Sequence, residues 1–184
     1  MRRKKEDNIL VSRIVSGDEE AFGTLYDVYI NDIHRFIYFR VGSAEEAEDL
    51  ASEVFLRLWQ YLSTHQKKVD NVRALMYRIA RNAVIDHYRK NGREMVALDE
   101  SHAETIEDTS IRIEEHAELK DEVSRLKEVI TQLTPAEQEL ITLRYVDDLS
   151  VNEIAAIVEK STGAVRVALH RAIKSLKQVL KGTS

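Results

Sequence analysis

Residues 133–177 read LTPAEQELITLRYVDDLSVNEIAAIVEKSTGAVRVALHRAIKSLK, and three helix starts are written into them. Thr134 is placed to cap, Pro135 takes the first helical position and Glu137 completes a capping box. Ser150 and Glu153 repeat the box, and Ser161 stands as the cap of a last helix. On that last helix Val165, Leu169, Ala172, Leu176 and Leu180 share one face, while His170, Arg171 and Lys174 lie opposite with Arg166 at their flank. A short helix, a tight turn at Glu159 and Lys160, and a second helix with basic outer positions is the geometry of a helix-turn-helix whose second helix enters a major groove. The same spacing also fits a helix hairpin with solvated lysines and arginines.

Upstream, LKDEVSRLKEVITQL (residues 119–133) is itself amphipathic and predicts a fourth helix in this half. Before it the composition changes. Residues 92–118, GREMVALDESHAETIEDTSIRIEEHAE, hold nine acids against two bases, so this one segment carries a charge of −7 in a chain whose total is −5. Each flank is therefore +1, and the acidity is local. Weak periodicity with dense like charge predicts an acidic linker between two helical domains, residues 1–91 and 119–184. Net charge then says little about nucleic acid, because position matters more than sum.

In the first half, SAEEAEDLASEVFLRLWQYLSTH (residues 43–65) opens on a further capping box, Ser43 with Glu46. Leu50, Val54, Leu58 and Tyr61 fall on its apolar side. Asp49, Ser52, Glu53 and Leu56 fall on the other, which places a leucine among carboxylates and suits a partner surface. Phe55 and Trp59, between the faces, are expected in the core. The next helix contains RALMYRIARNAVIDHYRK (residues 73–90), with a buried stripe expected at Val72, Leu75, Ile79 and Ala83. Arg78, Arg81, Asn82 and Arg89 gather on another side, with Tyr77 and Tyr88 beside them, and Asp86 reads as a structural ion-pair or hydrogen-bond partner. Guanidinium groups beside aromatic rings hold phosphates and stack unpaired bases, although a basic face paired with local acids has the same pattern. The connection THQKKVDNV (residues 64–72) brings Lys67, Lys68 and Asn71 next to that face.

The remaining composition narrows the classes. Six glycines and one proline in 184 residues leave few strand or hairpin signals, so the fold class expected is all-α: two small helical domains joined by an acidic linker, the carboxy-terminal one a helix-turn-helix. There is no cysteine for a disulfide, thiolate or nucleophile, and the six histidines have no short metal-site spacing. With no Gly-rich phosphate loop either, we expect no catalytic residues, no metal and no cofactor: the chain is not an enzyme by itself. No apolar run is long enough for a signal peptide or a bilayer span, so a cytoplasmic protein without membrane insertion is expected.

Three blocks together, AEDLASEVFLRLW (47–59), VRALMYRIARNAVIDHYRK (72–90) and the opening stretch 133–177, resemble successive regions of an extracytoplasmic-function (ECF) sigma factor of bacterial RNA polymerase, over about Asp18 to Lys181. The resemblance implies a promoter-melting domain at 1–91 (region 2), a linker at 92–118 that runs through the RNA exit path, and a region 4 helix-turn-helix at 119–184. It implies that Asp49, Leu50, Glu53 and Leu56 dock on the polymerase clamp helices. Arg78, Arg81, Asn82, Tyr88 and Arg89 would then serve the minus-ten region, with the loop from His65 to Asn71, including Lys67 and Lys68, capturing a flipped base. Thr162, Arg166, His170, Arg171 and Lys174 would address the minus-thirty-five duplex. Core RNA polymerase and promoter DNA are the implied partners, with an anti-sigma factor as a further one. Three departures stand out: Ser52 where a glutamine is common, Glu159 where a turn glycine is frequent, and Val167 and Ala168 where many relatives carry polar or basic side chains. The competing functions are a stand-alone helix-turn-helix regulator, which leaves the Asp49 face unexplained, and a helical scaffold with no nucleic-acid role.

Overall fold

The computed structural model describes residues 2–64, 69–90, 129–130 and 132–182, with side chains from Lys5 onward. Among the described residues every regular element is helical, and the chain divides into two compact units, Met1–Arg93 and Glu94–Ser184. The acidic segment 92–118 lies outside the described residues.

The first unit is built from α1 (Arg2–Val15), α2 (Glu19–Val41), α3 (Ala44–Thr64) and α4 (Val72–Lys90). Its middle is α2, which packs on α3 and α4; Leu25, Tyr29, Ile33, Phe36 and Ile37 of α2 are fully buried, as are Val54, Leu58 and Leu62 of α3 and Met76, Tyr77 and Ala80 of α4. Each such side chain contributes roughly 1.5–3 kcal/mol by leaving water. The helix ends follow from local chemistry. Asp18 caps α2 by accepting from the Ala21 N–H at 3.1 Å, and Arg13 pairs with the same carboxylate at 2.8 Å. The Ala21 N–H, and after it the Arg13 hydrogen bond, hold the Asp18 carboxyl below its ordinary value. Gly42 ends α2 in the left-handed region (φ 78°), returning its N–H to the Tyr38 carbonyl, a conformation that costs a side chain extra. Far from any cap, the buried Tyr29 hydroxyl donates to the buried Asp7 carboxylate at 2.7 Å and pins α1 to α2. Removing that donor would leave a buried carboxylate short of a partner, at about 1–3 kcal/mol.

The second unit runs through α5 (Pro135–Ile141), a π-helical turn (Thr142–Val146), α6 (Val151–Val158) and α7 (Thr162–Gly182). All three starts read from sequence are present. Thr134 with Glu137 and Ser150 with Glu153 form reciprocal capping boxes, and the Ser161 hydroxyl accepts from the Ala164 N–H at 3.2 Å. Glu137 does more than cap: its other carboxylate oxygen accepts from the Ser175 hydroxyl at 2.6 Å, which ties the start of α5 to the middle of α7. Of the fourth helix expected over 119–133, only Val129 and Ile130 are described as helical, and Ile130 is buried. The core gathers Leu143, Leu149, Ile154, Ile157, Val165 and Ala172. Along α7 the buried face fades toward its end: Leu176 is half-buried and Leu180 is exposed.

The buried stripe of α4 differs from the expected one. Ile79 is only half-buried, whereas Ala74, Met76, Tyr77, Ala80 and Val84 join Val72, Leu75 and Ala83 in the core. The helix packs against α1, α2 and α3 at once, so it buries a wider arc than one amphipathic stripe supplies.

Candidate nucleic-acid and partner interface

The outer face of α3 is the mixed one read from sequence. Asp49, Ser52 and Leu56 are exposed and Glu53 is half-buried; Leu56 keeps 56% of its surface in water. Leu50 does not share that face: it is 8% exposed and packs at the edge of the core beneath it. Its position one residue from Asp49 turns it about 100° around the helix, toward Val54 and Leu58. Phe55 is buried and tilts against Tyr26, and the half-buried Trp59 meets Phe22 edge-on at 4.9 Å.

Opposite the buried arc of α4, Asn82 and Arg89 are exposed and Arg78 and Arg81 half-buried. The two tyrosines expected beside them are placed differently. Tyr77 is fully buried, edge-on to Phe36 at 5.0 Å, and offers no platform to a base. Tyr88 is half-buried, and its hydroxyl donates to the Arg40 carbonyl at the end of α2. Asn71 caps α4, its side-chain oxygen accepting from the Ala74 N–H at 2.9 Å, so it fixes the exit of the loop. Lys67 and Lys68 of that loop, with His65, lie outside the described residues.

Sequence reading missed a connection between α3 and α4. Glu53 pairs with Arg57 at 2.7 Å, Arg57 stands 3.8 Å from Asp86, and Asp86 stands 4.0 Å from Arg89. Asp86 is therefore the ion-pair residue expected, and its side chain is 44% exposed. A row of alternating charge links the carboxylate face of α3 to the basic face of α4. Each exposed pair is worth at most about 1 kcal/mol, so the row orients side chains more than it holds the fold. The helical wheels could have suggested each pair within a helix, but the Arg57–Asp86 approach required the packing of two helices. Nearby, His87 Nε2 lies 3.5 Å from the Glu46 carboxylate, a second link between these helices.

In the second unit, α6 and α7 are joined by Glu159, Lys160 and Ser161. Glu159 sits there in the left-handed region (φ 55°), where glycine would be unstrained, and its N–H closes α6 onto the Ala155 carbonyl. On α7, Arg166, His170, Arg171 and Lys174 are all exposed and Thr162 is half-buried at the first turn. The packing of Val165, Leu169 and Ala172 turns this basic side outward. Exposed guanidinium and ammonium groups along one helix can meet phosphates and base edges of a duplex. Among the described residues, no group of three or more His, Asp or Glu is placed to hold a metal ion, and no helix is long and apolar enough to cross a membrane.

Comparison with known proteins gives these surfaces a family. The family model for Sigma-70 region 2 matches residues 25–94, and that for Sigma-70 region 4 matches residues 124–176. The chain is 34% identical to the ECF RNA polymerase sigma factor BldN of Streptomyces coelicolor over 93% of its own length, and spans 64% of that longer relative. It is 33% identical to SigD of Mycobacterium tuberculosis over 91% of this chain and 81% of SigD, and 29% identical to SigW of Bacillus subtilis over 93% and 95%. Its fold is like that of CnrH in complex with the cytosolic domain of CnrY (TM-score 0.74, 23% identity, 97% of this chain and 99% of that one). It is also like that of the sigma factor RpoE in complex with the anti-sigma factor NepR from Bartonella quintana (TM-score 0.66, 22% identity, 87% and 96%). With region 2 matched over α2 to α4, region 4 matched over the helix-turn-helix, and a relative at 33% identity covered over most of its length, the chain belongs to the ECF RNA polymerase sigma factors.

Proposed function

We propose that this sigma factor works through three of its own surfaces: the outer face of α3 on core RNA polymerase, the basic arc of α4 on the minus-ten region, and the outer face of α7 on the minus-thirty-five duplex. In domain terms these are residues 1–91 and 119–184, with 92–118 as the tether between them. Bound to polymerase in the cytoplasm, the chain selects a promoter at two places and favours opening by stabilising unpaired bases. No covalent step is assigned to it.

The observation that carries this reading is the exposed Leu56 set among Asp49, Ser52 and Glu53, with the basic arc of α4 on a different helix of the same unit. An acidic face with an apolar centre fits a basic, partly apolar partner, and a basic face fits nucleic acid, so one small unit addresses both. On α4 the contacts fall to Arg78, Arg81, Asn82 and Arg89, with Lys67, Lys68 and Asn71 from the loop. Tyr88 contributes only the exposed part of its ring, since its hydroxyl is bound to Arg40. CnrH has been seen in complex with the cytosolic domain of CnrY, and RpoE in complex with the anti-sigma factor NepR. We extend that to this protein as an anti-sigma partner that competes with polymerase for the α3 face.

Run-off transcription with purified core polymerase and a promoter library tests the whole reading. Promoter-specific transcripts that require the chain, with affinity that falls as salt rises, are expected. Tight binding to naked duplex without polymerase, and no transcript with it, would instead establish a stand-alone regulator.

A further inference from the structure

The outer face of α7 has an apolar centre. Val167 is 55% exposed and lies directly opposite the buried Val165, Leu169 and Ala172, so His170, Arg171 and Lys174 surround it instead of protein core. One turn earlier on the same side stands Gly163, and packing does not require a glycine there. A Cβ at that position would meet nothing nearer than the Ser161 hydroxyl at 4.0 Å, and no positive φ demands it. Alanine would make a better helix residue. Ala164 beside it is also exposed. The first two turns therefore present bare backbone and one branched aliphatic side chain inside a basic rim, where a phosphate-binding face alone would be polar throughout.

Resting on the assignment of α7 to the minus-thirty-five duplex, we propose that Val167 reads the C5-methyl group of a thymine in the major groove, and that Gly163 and Ala164 let the helix approach closely enough to do so. In the major groove the thymine methyl is the apolar feature that sets T apart, and small or branched aliphatic side chains are its partners. The rim charges at Arg166, Arg171 and Lys174 supply attraction to phosphates without reading sequence. Val167 supplies discrimination at one position, which explains how a helix with alanine and valine in its contact face remains selective.

The test needs no assumption about the promoter. Holoenzyme made from the full chain and core polymerase first selects its upstream element from a randomised duplex library. Each thymine in that element is then replaced by deoxyuridine, which removes only the methyl. At one position the parental holoenzyme should bind about four-fold more weakly, the equivalent of one buried methyl group. Holoenzyme carrying Val167→Ala should bind the thymine and uracil duplexes equally, near the parental affinity for the uracil form. No methyl-sensitive thymine in the parental scan overturns the proposal without any variant being needed. So does a Val167→Ala protein that keeps the parental discrimination, or one that loses affinity for core polymerase, which would make this face a protein contact. A holoenzyme that selects no upstream element at all refutes the parent assignment of α7, whereas selection without methyl sensitivity refutes the role of Val167 alone.

Discussion

Leu50 and Leu56 are near neighbours on α3 with opposite surroundings, and truncating each to alanine separates docking from folding. Leu56 is 56% exposed, so Leu56→Ala should change stability by no more than about 0.5 kcal/mol. Covering a leucine fully is worth roughly 1.5–3 kcal/mol, so covering the exposed half against polymerase is worth about 1 kcal/mol, or roughly five-fold in affinity. Leu50 is 8% exposed, and Leu50→Ala opens a cavity beside Val54 and Leu58 at roughly 2–5 kcal/mol. A loss of that size lowers the melting temperature of a unit this small by about 10 °C or more. Fluorescence anisotropy of labelled chain titrated with core polymerase, beside thermal unfolding by circular dichroism, reads both quantities on the same samples. Parental affinity in Leu56→Ala, or a melting temperature that falls with it, would refute the placement of the docking face on the outer side of α3.

Charge reversal at Asp49→Lys with Glu53→Lys should abolish core binding while helicity and melting temperature change little, because Asp49 is exposed and the Glu53–Arg57 pair is a surface one; pull-down with core polymerase checks this. Glu159→Gly relieves a left-handed side-chain residue at an exposed turn and should stabilise the second unit by about 1 kcal/mol in urea titration, and an unchanged or lower midpoint would contradict the turn geometry. Arg78→Ala with Arg89→Ala should leave core binding intact and reduce permanganate reactivity of unpaired promoter thymines several-fold; parental opening would reduce this face to solvated surface. The Asp18 carboxyl, held below its ordinary value by the Ala21 N–H and Arg13, stabilises the fold fully above the usual aspartate range of about 4 and loses that contribution as pH falls through the depressed value. Melting temperatures of the parent and Asp18→Asn should therefore differ at neutral pH and converge in acid, and a gap that persists at low pH would assign the effect to packing.

Much of this protein was legible in one dimension because its signals are short-range. A capping box needs only residues three apart, so Thr134 with Glu137 and Ser150 with Glu153 could be read directly, and the structure has both. The outward turn of Arg166, His170 and Arg171 follows from a single helical stripe, since α7 buries one face along its first turns. Three blocks in one order were enough to indicate the family. Tertiary structure decided what depends on the number and angle of neighbours. It drew Tyr77 wholly inside beneath the arginines, sank Leu50 below the outer face of α3, left Ile79 half out and set Arg57 beside Asp86. Periodicity states which residues share a side of a helix. How wide an arc of that helix is covered, and which charges from two helices meet, is settled only when α1, α2 and α3 close around α4.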